Sequence, residues 1–258
     1  ATGEVVWDTL TVDLSRPYTI TGAPRVVKGK VLIGNGGAEL GVRGYVSAYD
    51  AKTGNMDWRF YTVPNPKKAP DGAASDAVMA SLVNDTWGDT GGWVTDGGGG
   101  TAWDSIVYDE ANNQILVGVG NGSPWNAKIR DPESKGDNLF LSSILALDAD
   151  TGTYNWHFQT TPRDQWDFTA TQTIILADLP LGENGADRQV VMQAPKNGFF
   201  YVLDAKTGEY ISGNNFVPMN WATGLDENGR PIEADFARKT DGDPIAIIPG
   251  PLGALFWH

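Results

Sequence analysis

The sequence predicts an all-β fold, a run of about four β-propeller blades. Three observations carry this. A strand–turn–strand motif recurs along the chain, glycine is abundant at 32 of 258 residues, and long helical periodicity is absent. Short strands joined by tight turns use glycine in this way. A repeat of roughly fifty residues built from such strands suits blades of four strands each.

The opening residues Thr2-Gly3-Glu4-Val5-Val6-Trp7 align with Thr53-Gly54-Asn55-Met56-Asp57-Trp58 and form a partial first copy. The first full copy is Ala48-Tyr49-Asp50-Ala51-Lys52-Thr53-Gly54, followed by Trp58. The second is Ala146-Leu147-Asp148-Ala149-Asp150-Thr151-Gly152, followed by Trp156. The third is Val202-Leu203-Asp204-Ala205-Lys206-Thr207-Gly208, with Ser212 in the tryptophan slot. In each full copy a strand enters an Asp-x-x-Thr-Gly turn and the next strand leaves it. The tryptophans are expected to pack between blades. Thr2 to Thr53 spans 51 residues and Thr151 to Thr207 spans 56. Thr53 to Thr151 spans 98, close to two periods, and a degenerate hairpin of Ile106–Asp109 and Gln114–Val117 lies in that gap. Residues 71–84 can hold a short helix. Segments 63–71, 124–138 and 214–247 break the rhythm with Pro, Gly or charge and are expected as loops over one face. No boundary interrupts residues 1–258. The chain starts inside a motif and ends at Phe256-Trp257-His258 without a closing strand, so an internal piece of a longer protein is expected.

Composition removes several classes of function. The formal charge is −13 with no Lys/Arg cluster, which disfavours a phosphate-backbone partner such as nucleic acid. There is no cysteine, so disulfides, thiolate metal sites and cysteine nucleophiles are excluded. Two histidines, His157 and His258, make a multi-histidine zinc site improbable. No apolar run is long enough to span a bilayer; the opening residues show no signal-peptide pattern, which carries little weight in a chain expected to begin inside a repeat.

Five stretches can carry chemistry. Gly34-Asn35-Gly36-Gly37-Ala38-Glu39-Leu40-Gly41-Val42-Arg43-Gly44 packs five glycines and one carboxylate between two strand-like runs. Such a turn lets backbone approach a metal or an anionic cofactor, although glycine turns between strands are common. Gly97-Gly98-Gly99-Gly100-Thr101-Ala102-Trp103-Asp104 offers either a flexible turn with a packing indole or an aromatic floor for a flat ligand. Val119-Gly120-Asn121-Gly122-Ser123-Pro124-Trp125-Asn126 offers Asn121 as a turn cap or as an oxygen ligand for a hard cation. In Arg163-Asp164-Gln165-Trp166-Asp167-Phe168-Thr169-Ala170, Asp167 either bonds its own turn or, partly buried between aromatics, has a raised pKa and serves as a general base. Lys196, just before the Asn197-Gly198 turn, is either a solvated charge or the partner of an anionic or electrophilic cofactor.

Together these stretches resemble the quinoprotein alcohol dehydrogenases, the family of the methanol dehydrogenase large subunit and the ethanol and quinohaemoprotein alcohol dehydrogenases. The motifs follow the family's order and approximate spacing over essentially the whole chain. The resemblance implies part of an eight-bladed propeller that binds pyrroloquinoline quinone and calcium. It implies Glu39, Asn121 and Asp167 as calcium ligands, with Asp167 also the catalytic base. Thr21 and Thr101 match hydroxyls that bond the cofactor, and Gly37 and Ala38 match its backbone neighbours. Trp103 matches the indole stacked on the quinone, and Lys196 the cation facing the quinone oxygens. Thr169 stands where lanthanide-using members have a second aspartate, which favours the calcium type. Gly253-Ala254-Leu255-Phe256-Trp257 departs from the family's Gly-Ala-x-Asn-Trp, with Phe256 in place of the asparagine near the cofactor.

The resemblance further implies oxidation of a small alcohol to an aldehyde by hydride transfer to the quinone. Calcium acts as Lewis acid, an acceptor such as a cytochrome c takes the electrons, and the location is periplasmic. A non-catalytic propeller that binds proteins is the second reading. It would need the Asp-x-x-Thr-Gly turns but not Glu39, Asn121, Trp103 and Asp167 together. A glycosidase built on Glu39 and Asp167 is the third, and it leaves the glycine tracts and Lys196 without a purpose.

Overall fold

The computed structural model describes residues 2–133, 136–239 and 244–254. It consists of three four-stranded antiparallel sheets and a two-stranded hairpin. The first sheet is β1 (Arg25–Val27), β2 (Lys30–Gly34), β3 (Tyr45–Asp50) and β4 (Met56–Tyr61). The second is β5 (Ile106–Asp109), β6 (Gln114–Gly118), β7 (Ser143–Asp148) and β8 (Tyr154–Gln159). The third is β9 (Ile175–Leu179), β10 (Arg188–Gln193), β11 (Phe199–Asp204) and β12 (Tyr210–Asn215), and β13 (Ala222–Leu225) pairs with β14 (Pro231–Glu233) beyond it. Strands follow one another up and down in each sheet, as in propeller blades.

Side-chain alternation explains the stacking. In the second sheet Ile115, Val117, Leu145 and Leu147 join the core shared with Leu32, Val46 and Phe60 of the first sheet. Their neighbours Leu116, Ile144 and Ala146 face the other way, into the core shared with Val191, Phe199 and Tyr201 of the third. Period-two alternation thus buries both faces of the middle blade.

The Asp-x-x-Thr-Gly motif builds the same turn three times. Asp50 Oδ1 accepts hydrogen bonds from Lys52 N, Thr53 N and Thr53 Oγ1 at 2.8–3.0 Å. Asp148 and Asp204 repeat the arrangement with Thr151 and Thr207. The glycine that follows has positive φ in all three copies. It has no side chain because an indole of the preceding repeat lies on it. A Cβ on Gly54 would fall 2.7 Å from Trp7, one on Gly152 2.4 Å from Trp58, and one on Gly208 2.4 Å from Trp156. After the third copy Ser212 leaves no indole, and Tyr210 covers Gly229 of the β13–β14 turn instead.

Three expectations change. The hairpin in the long gap is β5–β6, the first half of the second blade, so the 98 residues hold one blade plus long connections. Segment 214–247 is not all loop, since it contains β13–β14; Asp226 Oδ1 accepts from Asn228 N and Arg230 N and closes that hairpin. The helix expected over 71–84 lies at 76–86, as Asp76–Val78 (α), Met79–Val83 (π) and Asn84–Thr86 (3-10). Two further short helices, Gly92–Asp96 and Ala127–Arg130, carry too little periodicity to be seen in sequence. Leu255, Phe256, Trp257 and His258 lie outside the described residues. Among the described residues no helix is long and apolar enough to cross a membrane.

Candidate active site

Strand direction decides where chemistry can gather. The β2–β3, β6–β7 and β10–β11 connections leave the blades at one end, as do the β4–β5 and β8–β9 crossings between blades. The Asp-x-x-Thr-Gly turns occupy the opposite end. Every predicted site residue sits on the first set of connections or on the segment entering β1. A cavity of about 300 Å³ opens there, lined by Thr21, Gly37, Glu39, Thr101, Trp103, Asn121, Asp167 and Lys196. Ala38 adjoins this wall but its side chain is buried in a 3-10 turn. Thr19, Gly36, Trp125 and Thr169 complete the lining.

The glycines serve the cavity mostly from behind. A Cβ on Gly34 would overlap the Ala102 carbonyl, one on Gly44 the Gly100 carbonyl, and one on Gly99 would meet Asn121 O at 2.6 Å. Three loops therefore pack backbone against backbone, and isolated bridges join Arg43 to Gly99 and Gly99 to Gly122. Only Gly36 and Gly37 of the first stretch reach the cavity, so close approach to a ligand explains fewer glycines than expected.

Glu39 stands on the 3-10 turn Ala38–Leu40, which is bounded by Gly37 at φ 98 and Gly41 at φ 86. Both values lie in the left-handed region that favours glycine. Glu39 Oε1 accepts from Asn121 Nδ2 at 2.9 Å and from Trp125 Nε1 at 3.2 Å. The amide is thereby oriented, leaving its own oxygen available. Across the cavity Asp167 Oδ2 accepts from Lys196 Nζ at 2.9 Å. Asp167 holds a left-handed φ of 64, uncommon for a residue with a side chain. Burial pushes its carboxyl up to about 6, and the Lys196 ammonium opposes that shift while Asp164 and Glu39 reinforce it. Asp164 is fully buried and its carboxyl is also raised to about 6 by burial. Lys196 is not a solvated charge, since its side chain is 2% exposed.

The lining fits a flat polar cofactor with a hard cation. Glu39, Asn121 and Asp167 offer oxygen donors only, the set that suits calcium. Thr101 Oγ1 is buried without a hydrogen-bond partner among the described residues, an unspent polar atom in the wall. Trp103 presents an aromatic side chain to the same space. Thr169 is neutral and its hydroxyl oxygen accepts from Thr171 Oγ1 and Gln172 Nε2. Among the described residues no three His, Cys, Asp or Glu side chains cluster as a metal site. A set of two carboxylates and one amide is outside that pattern. Trp125 was legible as the neighbour of Asn121 in one short loop, and Thr19 as the residue two before Thr21, on the same side of an extended segment. Neither residue type alone marks a site.

The loops of this propeller gather carboxylate, amide, indole and ammonium groups around one cavity, an arrangement that suits a bound cofactor. The chain belongs to the pyrroloquinoline quinone (PQQ) family described as glucose/ethanol/alcohol dehydrogenase, β-propeller domain, which matches residues 3–223. It is 56% identical over 260 residues to the dehydrogenase subunit of alcohol dehydrogenase (quinone) from Komagataeibacter europaeus, covering 98% of this chain and 35% of that protein. The solved quinohemoprotein alcohol dehydrogenase ADHIIG from Pseudomonas putida HK5 superposes with a TM-score of 0.91 at 54% identity, covering 99% of this chain and 37% of that one. A europium-containing methanol dehydrogenase superposes with a TM-score of 0.83 at 37% identity, covering 98% and 44%. The chain spans about a third of the length of the curated relatives it matches (34–36%).

Proposed function

We propose that the full-length protein oxidises an alcohol to an aldehyde in this cavity, using bound pyrroloquinoline quinone and calcium. The observation that carries the reading is convergence. Glu39, Trp103, Asn121, Asp167 and Lys196 come from five different connections of three blades and line one cavity. Packing alone gives no reason to spend an ion pair, two carboxylates and an unsatisfied hydroxyl on one wall.

Bound quinone supplies the two-electron acceptor for the carbinol hydride, and bound calcium a Lewis acid beside it. The chain supplies the rest. Glu39, Asn121 and Asp167 would hold the cation through oxygen atoms. Trp103 would bear the flat face of the cofactor, with Thr21 and Thr101 as hydroxyl partners and Gly37 and Ala38 as backbone neighbours. Asp167, ionised above about pH 6, accepts the alcohol hydroxyl proton on its carboxylate. Lys196 Nζ holds that carboxylate in place at 2.9 Å and adds positive charge where electron density gathers. The neutral Thr169 favours calcium over a trivalent ion, because a higher charge calls for more carboxylate than Glu39 and Asp167 provide. A cytochrome c as electron acceptor fits the quinohemoprotein names of the relatives, and a periplasmic location fits the family resemblance.

Asp167→Asn in the full-length protein tests the assignment. General-base catalysis is worth about 10²–10⁴ in rate, so turnover should fall by that order while quinone stays bound. Turnover within a few-fold of the parent would remove Asp167 from the role.

A further inference from the structure

Arg130 is fully buried and takes no direct part in the chemistry above. It ends the short helix Ala127–Arg130 within the β6–β7 connection. Its Nη1 donates to the carbonyl oxygens of Pro124 at 2.9 Å and Trp125 at 2.8 Å. Its Nη2 donates to the carbonyl oxygen of Asp164 at 2.7 Å, and Nη2 and Nε both reach Asn138 Oδ1, at 3.1 and 3.3 Å. These acceptors are three backbone carbonyls and one amide. Burial pulls the guanidinium down to about 10, so it remains charged at neutral pH, with Asp164 and Asp131 as its nearby opposite charges.

A buried charge that spends its donors on neutral carbonyls is a costly way to stabilise a fold. Its rigid fork is a good way to fix loops. One end holds Pro124 and Trp125, three and four residues after Asn121. The other holds Asp164, three residues before Asp167. Trp125 in turn donates to Glu39, so the first end reaches the opposing carboxylate as well. Asp164 extends the second end: its Oδ1 accepts from Trp166 N and Phe168 N, both at 3.1 Å, and wraps the backbone around Asp167. Gly122 leaves the space the fork needs, since a Cβ there would lie 2.6 Å from Nη1.

We propose that Arg130 is a positioning residue that sets the separation between Asn121 and Glu39 on one side of the cavity and Asp167 on the other. The proposal rests on the reading of those three residues as the cation and base set. It predicts that loosening the fork weakens cation binding and slows turnover without emptying the quinone site.

The test uses the full-length protein with Arg130→Lys, Asn138→Ala and, as a control, the core variant Leu147→Ala. Metal-depleted protein is titrated with calcium while quinone uptake is followed by absorbance, and kcat and KM are then measured separately. Arg130→Lys keeps the charge but not the fork. It should load quinone at saturating calcium, raise half-saturating calcium at least about tenfold, and lower kcat about tenfold with little change in KM. Asn138→Ala, which removes the lateral support of the guanidinium, should shift both in the same direction by less. Leu147→Ala should lower the melting point and move neither. Arg130→Lys within twofold of the parent in both quantities would overturn the proposal. So would equal shifts in Leu147→Ala, or a failure of Arg130→Lys and Asn138→Ala alike to give folded protein, because Arg130 would then be a folding residue. If the unmutated protein takes up no quinone with calcium, the functional reading fails first and this inference with it.

Discussion

At the scale of single residues the site is two opposed pairs. Glu39 and Asn121 are joined by one hydrogen bond, Asp167 and Lys196 by one ion pair. Glu39→Gln keeps the shape and both donor contacts but removes a charge. In the full-length protein it should raise half-saturating calcium by roughly an order of magnitude, because ligand charge tunes the affinity of oxygen sites. A calcium titration reads this directly, and an unchanged midpoint would remove Glu39 from the cation set. Much of this was legible in sequence, since Glu39, Asn121, Asp167 and Lys196 each sit in a short motif. The pairing was not. A lysine before an Asn-Gly turn is ordinarily solvated, and only the fold shows that it is buried against Asp167. Arg130 left no trace either, because its work is done on backbone carbonyls that any sequence supplies.

At the scale of elements, one turn repeated three times sets the frame. The aspartate closes the turn, and the glycine admits the indole from the blade before. Adding a methyl group there creates a clash as well as backbone strain. In the full-length protein Gly152→Ala, with its Cβ 2.4 Å from Trp58, should cost about 2–4 kcal/mol. Gly29→Ala has similar positive φ but nothing within 4 Å, and strain alone should cost about 1–2 kcal/mol. Unfolding midpoints of the two variants separate the terms; equal losses would mean that the indole is not what excludes a side chain. The repeat was visible because its chemistry is local. The second blade was harder to count, because Ile106–Asp109 and Gln114–Gly118 lack the motif and long connections stretch the period.

At the scale of the whole molecule, alternation of strands separates structure from chemistry: turns that hold the blades lie at one end and loops that hold the site at the other. One pH-dependent contribution to stability lies outside the site. His157 is packed by Phe140, its Nδ1 lies 2.8 Å from Tyr154 Oη, and burial lowers its pKa from 6.5 to about 4. The folded chain keeps this ring neutral while the unfolded chain protonates it near pH 6.5, so acid favours unfolding. The His157 contribution should be level above pH 6.5 and fall between 6.5 and about 4, by about 1–2 kcal/mol after allowing for partial exposure, while the raised carboxyls of Asp164 and Asp167 act with the opposite sign below about pH 6. Compared with the parent, His157→Gln should gain stability as pH falls from 6.5 to about 4 in unfolding experiments, and a parent–variant difference that does not change with pH would assign the slope to other groups.

If this cavity holds pyrroloquinoline quinone, the cofactor should come away with the protein. Full-length protein is purified from its source and denatured, and the released quinone is quantified by absorbance, with intact mass recorded on the same sample. A quinone-loaded cavity gives about one equivalent of quinone per chain. No quinone, even after incubation with quinone and calcium, would contradict it and leave a propeller that serves as a scaffold.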